Sequence, residues 1–247
     1  MFKNLTFLSR LIWIREGLNY VKVEKEEDGI KLAKEVLYHL VDKETILFLS
    51  GGSTPRPLYQ QIAKEGRLTP GAVALVDERY GEKMHDNSNE KMIEETKLFD
   101  LMKDKKTRVY KILEERSQEE TSQDYDETVR YFLMHFKKSG AVLGIGKDGH
   151  TAGIAPDRVD FENPIFEESS LFVNYFNDEK GSFGQRITMT FPALTMLDFM
   201  IVLAFGEEKK KALSEMFEEG SVREIPARFY LRKDIAKKTL LITDQRI

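Results

Sequence analysis

Short apolar runs of strand length recur along this chain, and their character leaves few folds open. They read TILFL (Thr45–Leu49), AVALV (Ala72–Val76), RVYKI (Arg108–Ile112), AVLGI (Ala141–Ile145), SLFVNYF (Ser170–Phe176), RITMT (Arg186–Thr190), FMIVLAF (Phe199–Phe205) and TLLIT (Thr239–Thr243). Several are nearly continuous rather than alternating, as expected of strands covered on both faces. Between many of them lie segments of helical spacing. Ile30, Ala33, Leu37, Leu40 and Val41 fall on one stripe, and Tyr125, Val129, Phe132, Leu133 and Phe136 on another. Strands alternating with amphipathic helices predict an α/β fold: a three-layer, Rossmann-like arrangement of a mainly parallel sheet with helices on both faces. No repeat, low-complexity tract or Pro/Gly/Ser linker divides residues 1–247, which predicts one domain. The acidic stretch Glu114–Glu127 runs into the Tyr125 stripe and reads as the solvated start of a helix.

Charge and composition narrow the function. The 38 basic and 42 acidic residues are well mixed, which leaves no basic footprint for nucleic acid. An anionic ligand would have to find its positive charge locally. The absence of cysteine excludes disulfides, thiolate chemistry and Cys-based metal sites. Arg10 and Arg15 interrupt the N-terminal apolar stretch, so no signal peptide is expected there. Nowhere is there a run of roughly 18 apolar residues of the kind that spans a membrane. These readings predict a cytoplasmic monomer that binds a small molecule, neither nucleic acid nor membrane.

In open parallel sheets ligands bind at the carboxyl ends of strands, so the residues after each run are the ones to inspect. After TILFL comes SGGSTPRPLY. Gly51 and Gly52 let backbone approach a ligand, and Ser50, Ser53 and Thr54 offer hydroxyls ahead of a helix start at Pro55. On these residues alone a phosphate cradle and a Ser/Thr-capped turn are equally good readings. No Gly-Lys-Ser/Thr follows, so it is not a Walker motif. After AVALV comes DERY, which by itself reads as a solvated turn, although Asp77 and Arg79 stand where a ligand could be reached.

After AVLGI comes GKDGHTAGIAP. Gly144, Gly146 and Gly149 permit a close irregular turn, and Asp148 and His150 can enter the same cleft. Imidazole exchanges protons near neutral pH, which makes a histidine at this place a candidate base. Of the four histidines, His39 and His135 lie in helical stripes and His85 lies in a charged loop. No ligand pair at metal-binding spacing is present, so no metal is expected. Arg186 opens RITMT, and Lys209 follows FMIVLAF through Gly206. Both can add positive charge, or can be a strand-edge charge and part of a solvated helix face.

Taken in order, SGGSTP (50–55), DER (77–79), SN (88–89), GIGKDGHTA (144–152), RITMT (186–190) and GEEK (206–209) resemble the 6-phosphogluconolactonase family, within the glucosamine-6-phosphate isomerase superfamily. The related deaminases carry Tyr where this chain has Arg79, and a relay Glu where it has Ala155. The chain departs from the usual lactonase pattern twice. Tyr80-Gly81-Glu82 stands for x-Val-Pro, and Gly153-Ile154-Ala155 for Ser-Leu-Phe, both in loops expected to shape the sugar pocket. The resemblance implies cofactor-free hydrolysis of 6-phospho-D-glucono-1,5-lactone to 6-phosphogluconate, a step of the oxidative pentose phosphate pathway. It implies His150 as base for water, Arg79 for the oxyanion or the substrate, and Asp77 and Asp148 as orienting carboxylates. It places the phosphate against Ser50, Gly51, Gly52, Ser53 and Thr54, with charge from Arg186 and Lys209. A deaminase, or a sugar-phosphate sensor without catalysis, is the alternative. The roughly 20 residues before the first amphipathic helix are too few for the helix-turn-helix domain that a transcriptional sensor would carry.

Overall fold

The computed structural model describes residues 2–156, 170–177 and 184–247. Among them one sheet runs, edge to edge, through β1 (Trp13–Arg15), β2 (Leu18–Lys22), β11 (Thr239–Thr243), β10 (Phe199–Ala204), β7 (Lys138–Gly144), β3 (Thr45–Leu49), β4 (Ala72–Leu75) and β6 (Arg108–Tyr110). Every neighbouring pair is parallel except the β1–β2 hairpin. The continuous apolar runs are explained by burial: every residue of β3, β4, β10 and β11 is buried, so both faces of these strands are covered.

The helical stripes supply the cover. In α1 (Glu26–Leu40), Ile30, Ala33, Leu37 and Leu40 are buried, as is Val41 just past its end. In α5 (Gln118–His135), Tyr125, Val129 and Phe132 are buried, while Leu133 and Phe136 pack at the margin. The acidic stretch does begin this helix. Ser117 caps it, and Glu120 reaches back to the Ser117 N–H in a capping box. His39 and His135 each hydrogen-bond a carbonyl four residues back in their own helix and play a local part. No described helix is long and apolar enough to cross a membrane.

The structure departs from the expected single sheet in one respect. A second, three-stranded antiparallel sheet is built from β5 (Asp77–Arg79), β9 (Gln185–Met189) and β8 (Val173–Asn177). Two apolar runs expected in the main sheet therefore lie here, and Asp77-Glu78-Arg79 is a strand, not a solvated turn. Val76 joins the sheets: its N–H donates to Leu49 O and its carbonyl accepts from Met189 N, both at 2.9 Å. Glu78 explains why the charged triplet stays ordered. Buried between layers, its carboxylate accepts from Arg79 N, Ser88 Oγ, Asn89 N and Glu90 N, and so holds the start of α3 (Asn89–Glu95) against β5.

The strand order also fixes where a ligand can enter. From β3 the chain passes through α2 (Arg56–Glu65) to β4 on one side, whereas β7 has β10 on its other side. The loops leaving β3 and β7 diverge there and open a crevice at their adjacent carboxyl ends.

Candidate active site

The loop after β3 forms one wall of the crevice. Ser50 N–H donates to Val142 O at 3.0 Å and Ser50 O accepts from Tyr59 Oη at 2.8 Å, which ties the loop to β7 and α2. A Cβ on Gly51 would lie 1.8 Å from Asn89 Oδ1, so only glycine lets these elements meet. Gly52 has φ +96° with open space beyond it. No side chain caps α2, so the Ser53 and Thr54 hydroxyls are not used as the capped-turn reading required. Ser50 Oγ is buried with no partner among the described residues.

The second wall is the loop after β7. Gly146 N–H donates to His150 O at 2.8 Å and Gly149 N–H to Gly146 O at 3.0 Å, which folds the loop back on itself. His150 Nδ1 lies 2.6 Å from Asp148 Oδ1. Burial would raise the Asp148 carboxyl, but hydrogen bonding and the charge of His150 outweigh it and hold the group well below the usual carboxylate range. Ionised Asp148 only accepts, so in the neutral ring the proton sits on Nδ1 and Nε2 keeps the lone pair.

The small sheet contributes the third wall. In the β5–β9 register Arg79 stands opposite Arg186 and Asp77 opposite Thr188, which sets the two guanidiniums side by side on one face. Burial lowers the pKa of the Arg79 guanidinium, and Arg186 pushes the same way against Asp77 and Glu78. Two cations so placed favour an anion between them. Asp77 is held by Asn89, whose Nδ2 donates to Asp77 O at 2.8 Å and Oδ2 at 3.2 Å. Lys209, in the 3₁₀ turn after β10, is half-buried, and burial lowers its ammonium pKa. Its electrostatic neighbours are Glu208, Asp148 and Lys147, so it belongs to the His150 side and Arg186 to the Arg79 side.

These walls enclose a cavity of about 310 Å³, the size of a small polar ligand. Ser50, Gly51, Gly52, Ser53, Thr54, Asp77, Arg79, His150, Arg186 and Lys209 all line it, and Asp148 supports His150. Of the polar side chains that line it, sequence reasoning did not single out Asn89 and Lys147. Asn89 was legible only as half of the SN pair, and Lys147 only as the residue before Asp148. The two departures from the lactonase pattern directly follow the lining residues Arg79 and Ala152. Gly153 packs against Thr188 and donates its N–H to Thr188 Oγ1 at 2.9 Å. Ile154 and Ala155 are buried, and neither they nor Tyr80-Gly81-Glu82 line the cavity.

Comparison with known proteins agrees with this architecture. The sequence profile of the family described as glucosamine-6-phosphate isomerases/6-phosphogluconolactonase matches residues 30–240. The chain is 30% identical over 211 residues to a 6-phosphogluconolactonase of Thermotoga maritima, covering 84% of this chain and 88% of that one. It is 29% identical over 189 residues to a 6-phosphogluconolactonase of Neisseria meningitidis, covering 75% and 79%. The fold is similar to that of the 6-phosphogluconolactonase from Plasmodium vivax, with a TM-score of 0.78 at 18% identity over 99% of this chain and 96% of that one. A profile match from α1 to β11 and a relative of this similarity over most of both chains lead to one conclusion: the chain belongs to the glucosamine-6-phosphate isomerase/6-phosphogluconolactonase family.

Proposed function

We propose that this chain hydrolyses 6-phospho-D-glucono-1,5-lactone to 6-phosphogluconate, with His150 as the base. The observation that carries this reading is the Asp148–His150 pair, which leaves Nε2 as acceptor in a cavity also lined by Arg79, Lys147, Arg186 and Lys209. Nε2 takes a proton from water as the water oxygen bonds to C1 of the lactone. The carbonyl π pair moves onto oxygen, where Arg79 meets the developing charge. As the tetrahedral centre collapses, the bond from C1 to the ring oxygen breaks and the imidazolium returns its proton to that oxygen. Asp148 holds the imidazole in the working tautomer, and Asp77 orients Arg79 or a sugar hydroxyl. The phosphate lies against Ser50, Gly51, Gly52, Ser53 and Thr54, with Arg186 and Lys209 supplying charge. All groups used come from one chain, so the reading needs no second subunit.

The test is acid release from freshly prepared lactone, above its spontaneous hydrolysis. A positioned base is worth about 10²–10⁴-fold, so His150→Gln is expected to lose at least 10²-fold in kcat while keeping its melting temperature and most of its affinity for the product. Wild-type kcat in that variant would remove His150 from the mechanism. Ammonia release from glucosamine 6-phosphate at enzymatic rates would instead assign the chain to the deaminase side of its family.

A further inference from the structure

We infer that His85 is a positioning residue for Arg79, a role that rests on the reading of Arg79 given above. Arg79 ends β5, and its carbonyl accepts from His85 Nε2 at 2.8 Å. Its own Nη1 donates to Asn87 O at 2.8 Å, and Asn87 N–H donates to His85 Nδ1 at 3.3 Å. A backbone carbonyl only accepts and a backbone N–H only donates, so these partners set the ring in the neutral form with its proton on Nε2. Arg79, His85 and Asn87 thereby close a ring of three hydrogen bonds, which grips Arg79 at its main chain and at its guanidinium.

The chain is shaped around this imidazole. A Cβ on Gly81 would lie 3.0 Å from His85 Cδ2 and 3.1 Å from Nε2, so glycine gives the ring its room. Met84, just before it, holds φ +61°, a conformation unfavourable for a residue with a side chain. The outer side of the same loop is fastened independently. Tyr80 Oη donates to Arg116 O at 2.7 Å, Lys83 pairs with Glu114 at 3.3 Å, and Asp86 pairs with Lys91 at 2.5 Å. Loss of the imidazole therefore loosens the inner side, where Arg79 is, and leaves the loop anchored elsewhere.

The experiment measures kcat, KM and melting temperature for wild type, His85→Ala, His85→Gln, His85→Asn, Arg79→Ala and the Arg79→Ala/His85→Ala pair. A misplacement of about 1 Å can cost on the order of 10²-fold, so His85→Ala is expected to lose roughly 10–100-fold in kcat/KM with little change in melting temperature. The Gln amide nitrogen can take the place of Nε2 and donate to Arg79 O, whereas the Asn amide reaches only the place of Nδ1. Gln is therefore expected to rescue more activity than Asn. The paired variant is expected to be no worse than Arg79→Ala alone. Wild-type kcat/KM in His85→Ala, equal activity of the Gln and Asn variants, or a loss that adds in full to that of Arg79→Ala overturns the proposal. Full activity in Arg79→Ala overturns the Arg79 reading itself, and with it this inference, and that arm alone reports it.

Discussion

Gly146→Ala perturbs the site by a single methyl group, and its size can be worked from the coordinates. An added Cβ would stand 2.0 Å from His150 Nδ1, 2.1 Å from its Cε1 and 2.7 Å from Asp148 Oδ1. Ordinary van der Waals contact begins near 3.4 Å, so the imidazole has to retreat by about 1.4 Å or turn out of the Asp148 hydrogen bond. Its side chain is 39% exposed, so it can swing outward without opening the core. The stability cost is therefore small, while the base is displaced by more than the ~1 Å that can cost on the order of 10²-fold in rate. The expected variant melts within a few degrees of wild type, keeps KM within a few-fold and loses roughly 10²-fold in kcat. The assay is acid release from fresh lactone, with thermal melting on the same preparation. Gly144→Ala, whose Cβ would meet only Leu203 O at 3.6 Å, controls for the effect of one added methyl on folding. Wild-type kcat in a folded Gly146→Ala would refute the placement of His150 as the base.

Three further outcomes follow from the same geometry. Lys209→Ala should raise KM more than it lowers kcat, because the charge serves ground and transition states alike. Burial holds the Lys209 ammonium below the ordinary lysine range, so affinity present at neutral pH is lost as pH rises through that lowered value. The alkaline fall in kcat/KM should disappear in Lys209→Ala, and its persistence there would show that another group titrates. Inorganic phosphate should raise the melting temperature of the wild type, by as much as ~2.7 kcal/mol of stability at 100 times its dissociation constant. Arg186→Ala should lose most of that gain, and an equal gain would place the anion elsewhere. Gly140→Ala would drive a Cβ to 2.1 Å from the buried Phe199 ring, an overpacking expected to cost ~1–3 kcal/mol in thermal melting with activity per folded molecule retained.

Much of the cavity was legible because ligand contacts in a parallel sheet sit in short segments just after strands. Gly51 and Gly52 announce backbone that must come close, and Asp148-Gly149-His150 places an acid two residues from a base, near enough for their side chains to meet. Glu78 shows the limit of such reading. In sequence it is one of three consecutive charges, and nothing local says that Arg79 faces the cavity while Glu78 turns inward to hold the start of α3. Asn89 was obscured for the same reason, since its contacts with Gly51 and Asp77 join segments far apart in the chain.

The sequence by itself determined the layered α/β class, because continuous apolar runs can be buried only where helices cover both faces of a sheet. It also determined the chemical inventory of the cleft: glycines, hydroxyls, an acid beside a histidine, and scattered cations. The tertiary structure decided which of those cations act together. Apolar periodicity records that a segment is buried but not beside which strand, so RITMT and DER gave no sign that they pair with each other away from the main sheet. That antiparallel pairing sets Arg186 against Arg79, and the junction at Val76, bonded to both sheets, holds them over the crevice between β3 and β7. Register is a property of two strands, and no single stretch of sequence contains it.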